Sequence, residues 1–386
     1  MRAYLDHSAT TPLAPEALAA MRPYLEGRFG NASSLHAWGR EARAGLEGAR
    51  ADLARAVGAR DPQGLVFLSG GTEADNLAVK GAARHGTARG RHVVVSAIEH
   101  HAVLEAAAVL EAEGFSVTRV PPGGDGRVDP DAVEAALRPG TVLAAVMLVN
   151  NETGAIQPLA EIAARCRARG VLVHADCVQA LGKIPVDVEA LGVDLAAFSA
   201  HKVYGPKGIG ALYARPGTPM TALVHGGFQE RSRRAGTEDV AGAVGFARAA
   251  RLAVDALPQD GPRLAGLRDR LEAGLLAAAP GVRVNAAGAP RAPHIANLAF
   301  DGAAAESLLI ALDLEGVAAS AGAACSSGSL EPSHVLLAMG LAPERCASSL
   351  RFSLGRGTTA DEIEYTIGVV ARALERLRGA VPAGVG

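Results

Sequence analysis

The tetrapeptide Ser199-Ala200-His201-Lys202 closes the apolar run Leu195 to Phe198 and is followed by Tyr204-Gly205-Pro206-Lys207-Gly208. Lys202 therefore stands at a strand end, beside a hydroxyl and an imidazole, where a Gly/Pro turn begins. A lysine in such a setting can lose its proton and form a Schiff base with a carbonyl. Lysine is scarce in this arginine-rich chain, occurring only at Lys80, Lys183, Lys202 and Lys207. A surface lysine at a strand end explains the stretch equally well on its own, so the other polar clusters must decide.

Four other strand ends carry groups of a matching kind. Leu65-Val66-Phe67-Leu68 runs into Ser69-Gly70-Gly71-Thr72-Glu73, a glycine turn entering a helix. Its backbone N–H groups and helix dipole can hold a phosphate at Gly71 and Thr72, although an ordinary capped helix has the same signature. Val93-Val94-Val95 runs into Glu99-His100-His101. His100 can stack on an aromatic ligand and exchange protons near neutral pH, or simply start a helix in water. The run Val142 to Val149 ends in Asn150-Asn151-Glu152, and Val171 to Val173 in His174-Ala175-Asp176-Cys177-Val178-Gln179. A carboxylate such as Asp176 after an apolar strand is costly unless it caps a turn or meets a cation. A protonated pyridine nitrogen is such a cation. With Lys202, five consecutive strand ends suit one phosphorylated aromatic aldehyde, pyridoxal 5'-phosphate.

The elements that must position these groups alternate. Short β-branched runs are separated by alanine-rich helices over about 73–84, 101–113 and 159–169. Continuous apolar strands between helices of this length predict an α/β fold with a mostly parallel sheet sandwiched by helices. Ligands of such sheets gather beyond the carboxyl ends of the strands. A long helix is expected up to about Ala256, with Leu257-Pro258-Gln259-Asp260-Gly261-Pro262 as a boundary or hinge. The expected division is a large domain over 15–257 and a smaller α+β domain from 1–14 and 258–386. The tail Val381-Pro382-Ala383-Gly384-Val385-Gly386 reads as flexible.

At 386 residues with a formal net charge of −2, the chain offers no electrostatic case for nucleic acid or an acidic membrane surface. MRAYLDHSATTPL has no apolar signal core, and no apolar run approaches a membrane span, so the cytoplasm is expected. Cys166, Cys177, Cys325 and Cys346 lack zinc-site spacing; no metal is expected, and reduced thiols are.

Taken in order, YLDHSATTPL, SGGTEADN, IEHHAV, VNNETGAIQP, HADCVQALGKIPVD, SAHKVYGPKGIGALY, HGGFQERSRRAGTE, ACSSGSLEPSHVL and SLRFSLGR run nearly end to end. This set resembles the cysteine desulfurases of the fold-type-I pyridoxal-phosphate family, in the subgroup with a long cysteine loop. The resemblance implies that Lys202 carries the cofactor, Asp176 partners the pyridine nitrogen, Gln179 lies near the ring hydroxyl and His100 stacks on the ring. It makes Gly71, Thr72, Ser199 and His201 the phosphate cradle and places Asn151 between cofactor and substrate. It gives Arg351 the substrate carboxylate, a task suited to a bidentate fork. It also implies a homodimer in which Thr237 reaches the phosphate of the other subunit. The chain departs from the family at Asn31-Ala32-Ser33-Ser34, where proline usually follows the asparagine.

Cys325 lies among small residues, Ser320-Ala321-Gly322-Ala323-Ala324-Cys325-Ser326-Ser327-Gly328-Ser329, in a segment (about 320–332) expected to be a mobile loop. A structural cysteine prefers a core, so this setting favours a reactive thiol. By resemblance, the Cys325 thiolate takes sulfur from L-cysteine as a persulfide and L-alanine leaves. An acceptor protein, either an iron–sulfur cluster scaffold or a thiolation enzyme, then receives the sulfur.

Overall fold

Hydrophobic residues continuous enough to bury both faces of a strand produce the central sheet of the computed structural model, which describes residues 1–321 and 332–379. Cys325 and the tail from 381 lie outside the described residues. In chain order the strands are β1 (Ala3–Tyr4), β2 (Leu65–Leu68), β3 (His92–Ser96), β4 (Ser116–Val120), β5 (Thr141–Ala145), β6 (Leu172–Asp176), β7 (Leu195–Ser199), β8 (Gly210–Ala214), β9 (Val282–Val284), β10 (Ile295–Phe300), β11 (Val317–Ala318) and β12 (Ser349–Ser353). Seven of them form one sheet in the order β2-β8-β7-β6-β5-β3-β4. The pairs β4/β3, β3/β5, β5/β6 and β6/β7 are parallel, and β8 runs antiparallel to both β7 and β2. This is the α/β architecture that the alternation predicts.

Three details differ from the sequence-level expectation. The polar edge strand β4, with the mixed pattern Ser-Val-Thr-Arg-Val, lacks an apolar signal because one side of it meets solvent. The run Val142 to Val149 leaves the sheet after Ala145, and its next amides are satisfied irregularly. Val146 N–H donates to His174 O and Leu148 N–H to Asp176 O, while Met147 N–H donates to the Glu99 carboxylate. The third difference is a helix, Val240–Ala278, which passes through 257–262 without a break. Pro258 and Pro262 are spaced one turn apart and both are exposed, so their rings lie on the solvent side of the helix. The same helix contributes Ala243 to Ala253 to the core of the large sheet and Leu264 to Leu275 to a second core. Burial at both ends outweighs the proline penalty in the middle.

The second core lies between the antiparallel sheet β12-β10-β9, the small parallel pair β1/β11 and the helix Ala360–Gly379. In β10 and β12, Asn297 is registered opposite Arg351.

One buried ion pair governs the segment leading to Thr237. Glu230, Arg231 and Ser232 all have positive φ, at 44°, 57° and 62°, a costly run for residues with a Cβ. Glu230 anchors it by accepting from Arg50 Nη1 at 2.8 Å, Arg50 Nη2 at 2.7 Å and Phe67 N at 3.0 Å. Both side chains are 2% exposed. Glu230→Gln, which leaves the Arg50 charge without its counter-ion, is expected to cost about 3 kcal/mol in urea unfolding. Glu113→Gln, at the solvent-facing Arg84–Glu113 pair, should cost less than about 1 kcal/mol in the same measurement.

Candidate active site

The carboxyl ends of β3, β5, β6 and β7, together with the start of the helix Gly71–Asn76, surround one cavity of about 400 Å³. Gly71, Thr72, His100, Asn151, Asp176, Gln179, Ser199, His201, Lys202 and Arg351 all line it. Parallel strands end on the same edge of a sheet, so side chains far apart in sequence converge there.

Lys202 reaches the cavity on a short helical turn, Ala200–Lys202, directly after β7. Its Nζ donates to Ser8 O at 2.6 Å and Ala9 O at 2.7 Å. Ser8 O also accepts from Gln179 Nε2 at 2.9 Å. The sequence carries no signal for this role of the N-terminal strap, because backbone carbonyls leave no side-chain signature. Burial pushes the Lys202 ammonium down to about 8, and the nearby Arg351 charge acts in the same direction. Asp6 and Asp176 oppose the shift.

Asp176 closes β6, and its Oδ1 accepts from Val178 N at 2.8 Å. Burial raises its carboxyl above the usual range, whereas His100, the Val178 N–H and Lys202 favour the charged form. Two further buried acids stand close by. Glu99 is pushed up to about 8 by burial, and Asp75 is raised well above the ordinary carboxylate range by burial and by the charges of Asp176 and Glu99. His100 opens into the cavity and caps the helix His101–Ala112, its Nδ1 accepting from Ala102 N at 3.1 Å. The neutral ring therefore carries its proton on Nε2. Burial holds the ring below the usual imidazole range, with Asp176 opposing.

A phosphorylated pyridine fits these groups. A Cβ at Gly71 would meet Val178 Cγ2 at 2.9 Å and Ser199 Cβ at 3.4 Å, so glycine lets the helix start descend onto the ends of β6 and β7. Thr72, Ser199 and His201 gather around that helix start. Asp176 waits at the other end, a buried carboxyl that a ring cation would stabilise. The lysine stands between them with a lowered proton affinity.

Arg351 lines the cavity from β12 and is buried. Its Nη1 donates to Asn151 O at 3.0 Å and its Nη2 to Asp6 Oδ1 at 2.8 Å. Its Nε has no protein partner among the described residues. Asp75, His101, Glu152 and His334 also line the cavity and were not singled out from sequence. Asp75 has no separate signal in the sequence, because Thr72, Glu73 and Asn76 make the whole turn polar. Thr237 is not in this cavity. It is exposed and borders a neighbouring recess with Ser69, Gly208 and Arg234. Arg234 Nε donates to Glu73 Oε1 at 3.0 Å, which ties the Thr237 segment to the phosphate-side helix. Cys325 lies outside the described residues; its flanks are Ser320, bridged to Arg351 through backbone hydrogen bonds, and Ser333, which donates to Glu152 Oε2 at 2.5 Å.

Comparison with known proteins agrees with this geometry. The family profile of aminotransferase class-V matches residues 3–366. A cysteine desulfurase IscS of Dictyoglomus turgidum is 46% identical over 379 residues, covering 98% of this chain and 96% of that protein. Among solved structures, a NifS-like protein superposes with a TM-score of 0.91 at 35% identity, covering 97% of this chain and all of that one. A structure described as SspA in complex with cysteine gives a TM-score of 0.81 at 31% identity, with coverage of 93% and 100%.

The lowered proton affinity of Lys202 makes a kinetic prediction. The neutral amine is the reactive form, and at pH 8 about half of Lys202 is neutral, against less than ~1% of an ordinary lysine. Uptake of pyridoxal phosphate by the apoprotein, followed by the visible absorbance change, should quicken as pH rises toward 8 and level off above about 9. A rate still climbing about tenfold per pH unit between pH 8 and 9 would mean an unperturbed lysine.

Proposed function

The chain belongs to the aminotransferase class-V family and, within it, to the cysteine desulfurases; on that footing we propose how its own residues carry out the reaction. It is a pyridoxal-phosphate-dependent enzyme that converts L-cysteine to L-alanine. The observation that supports the residue roles most strongly is the convergence on one cavity of Lys202, Asp176, the Gly71-Thr72 helix start and Arg351.

Bound at Lys202, the cofactor supplies an electron sink for negative charge at the substrate α-carbon. The protein does the rest. Arg351 orients L-cysteine through its carboxylate, using the N–H donors that the internal partners Asp6 and Asn151 leave available. Lys202, able to become a neutral amine near pH 8, takes the α-proton. Asp176 holds its charge against the ring nitrogen. His100 moves protons to and from the substrate sulfur through Nε2, because Nδ1 is occupied by the Ala102 N–H. The Cys325 thiolate then attacks that sulfur. An S–S bond forms as the C–S bond breaks, leaving a persulfide on Cys325 and, after proton return, L-alanine.

The acceptor of the persulfide sulfur is read as a protein of iron–sulfur cluster assembly or of tRNA thiolation. The working form is read as a homodimer in which Thr237 contacts the phosphate bound by the partner subunit. Two exposed aromatic and aliphatic side chains support that reading, Phe228 at 90% and Leu35 at 86% exposure. Phe228 borders a recess that it shares with Ala32, Ser33 and Leu46. The two cores are read as two domains dividing near 257/258 within an unbroken helix. No helix among the described residues is long and apolar enough to cross a membrane, and the free thiols of Cys166, Cys177 and Cys346 suit a reducing cytoplasm.

Incubation with L-cysteine followed by mass spectrometry should map one added sulfur to Cys325, with alanine in the supernatant. Cys325→Ala should lose both while retaining the yellow colour of bound cofactor; continued alanine release by that variant refutes the nucleophile assignment. Arg351→Lys keeps the charge but not the fork, and should raise KM for L-cysteine by about tenfold or more with cofactor retention unchanged.

A further inference from the structure

The polar chemistry of the cavity floor extends one layer behind the groups that face the cofactor. Asp75 and His174 are 1% and 0% exposed, and His174 Nε2 lies 3.0 Å from Asp75 Oδ1. Asp75 belongs to the helix that begins at Gly71, one turn beyond Thr72. His174 belongs to β6, two residues before Asp176, and the period of two in a strand puts both on the same face. The pair therefore joins the element that meets the phosphate to the element that meets the ring nitrogen.

We propose that the Asp75–His174 pair is a positioning element that sets the spacing between the phosphate cradle and Asp176, and that Asp75 serves as a neutral acid, leaving Asp176 as the carboxylate facing the ring. The inference rests on the reading of the cavity as a pyridoxal-phosphate site. Asp75 itself lines the cavity, so a charge there would compete with Asp176 for the same cation. Burial opposes that charge, and so do the neighbouring carboxyls of Asp176 and Glu99. Burial also holds His174 down at about 3, so its ring is neutral. A neutral acid next to a neutral imidazole makes one hydrogen bond, from the Asp75 O–H to His174 Nε2. That bond is directional and fully buried, and it brings no second negative charge to the floor.

The test uses pyridoxamine phosphate, which lacks the aldehyde and so reads the two end contacts without Lys202. Titration of the apoprotein, followed by fluorescence or calorimetry, gives its affinity. Asp75→Asn keeps the size and hydrogen bonding of the acid without charge, and should bind within about threefold of the parent protein. Asp75→Leu and His174→Ala break the link, and should weaken pyridoxamine phosphate by about tenfold or more. Inorganic phosphate, which needs one end only, should bind these variants as it binds the parent.

A large loss in Asp75→Asn would show that the charge is required and overturn the proposal. So would parent-like affinity in the link-breaking variants, or an equal loss of both ligands, which general damage to the fold would cause. If the link-breaking variants do not fold, His174→Gln, which restores an amide partner for Asp75, decides. Affinity within about threefold supports the link, and a loss of about tenfold or more overturns it. Failure of the parent protein itself to bind pyridoxamine phosphate would instead sink the reading of the cavity.

Discussion

The hydrogen bonds from Lys202 Nζ to the carbonyls of Ser8 and Ala9 hold together parts of the molecule that otherwise fold on separate cores. A backbone carbonyl accepts from an amine in either protonation state, so it can restrain a buried lysine without forcing a charge on it. The strap that supplies these carbonyls is itself fixed on the lysine side. Thr11 N and Thr11 Oγ1 both donate to His201 O, and Tyr204 N donates to Thr11 Oγ1 at 2.8 Å. Toward the small sheets, β1 pairs with β11 and Asp6 meets the Arg351 fork. One short segment therefore touches both Lys202 and Arg351. The distance between the two cannot change without breaking this set of contacts.

Charge in the cavity follows from where water is excluded. Three carboxyls, Asp75, Glu99 and Asp176, are buried near one another, and repulsion from the charge on Asp176 adds to desolvation in keeping protons on Asp75 and Glu99. Asp176 differs from the other two in having His100, Lys202 and a backbone N–H on its side. The same burial that raises the acids lowers Lys202 and His201. Acid and base functions on one cavity thus arise from a shared cause, and the position of each group decides its role.

Much of the large sheet is legible in the chain because strands covered on both faces must be apolar throughout, as in β3, β5 and β7. The edge strand β4 escapes that logic, since half of it meets solvent. Pro258 and Pro262 mislead for a related reason. Proline reports on the cost to a local helix, whereas the helix Val240–Ala278 is held by two cores that only the assembled molecule brings to its ends. At the site, Lys202, Asp176, His100 and the Gly71-Thr72 turn are readable because each follows an apolar run. Asp75, Glu152 and His334 are not, because their importance lies in what packs against them.

By itself, the sequence determined the α/β alternation, the polar strand ends and the ordered motifs that identify a cysteine desulfurase. Those depend on residue type and on spacing along the chain, which local chemistry reads directly. The tertiary structure alone decided that the amino-terminal strap supplies the lysine's acceptors. It also decided that Asp6 shares the Arg351 fork, and that Asp75 meets His174 across 99 positions of chain. Hydrogen bonds between remote segments arise only when parallel strands end on one edge and burial removes water as the competing partner.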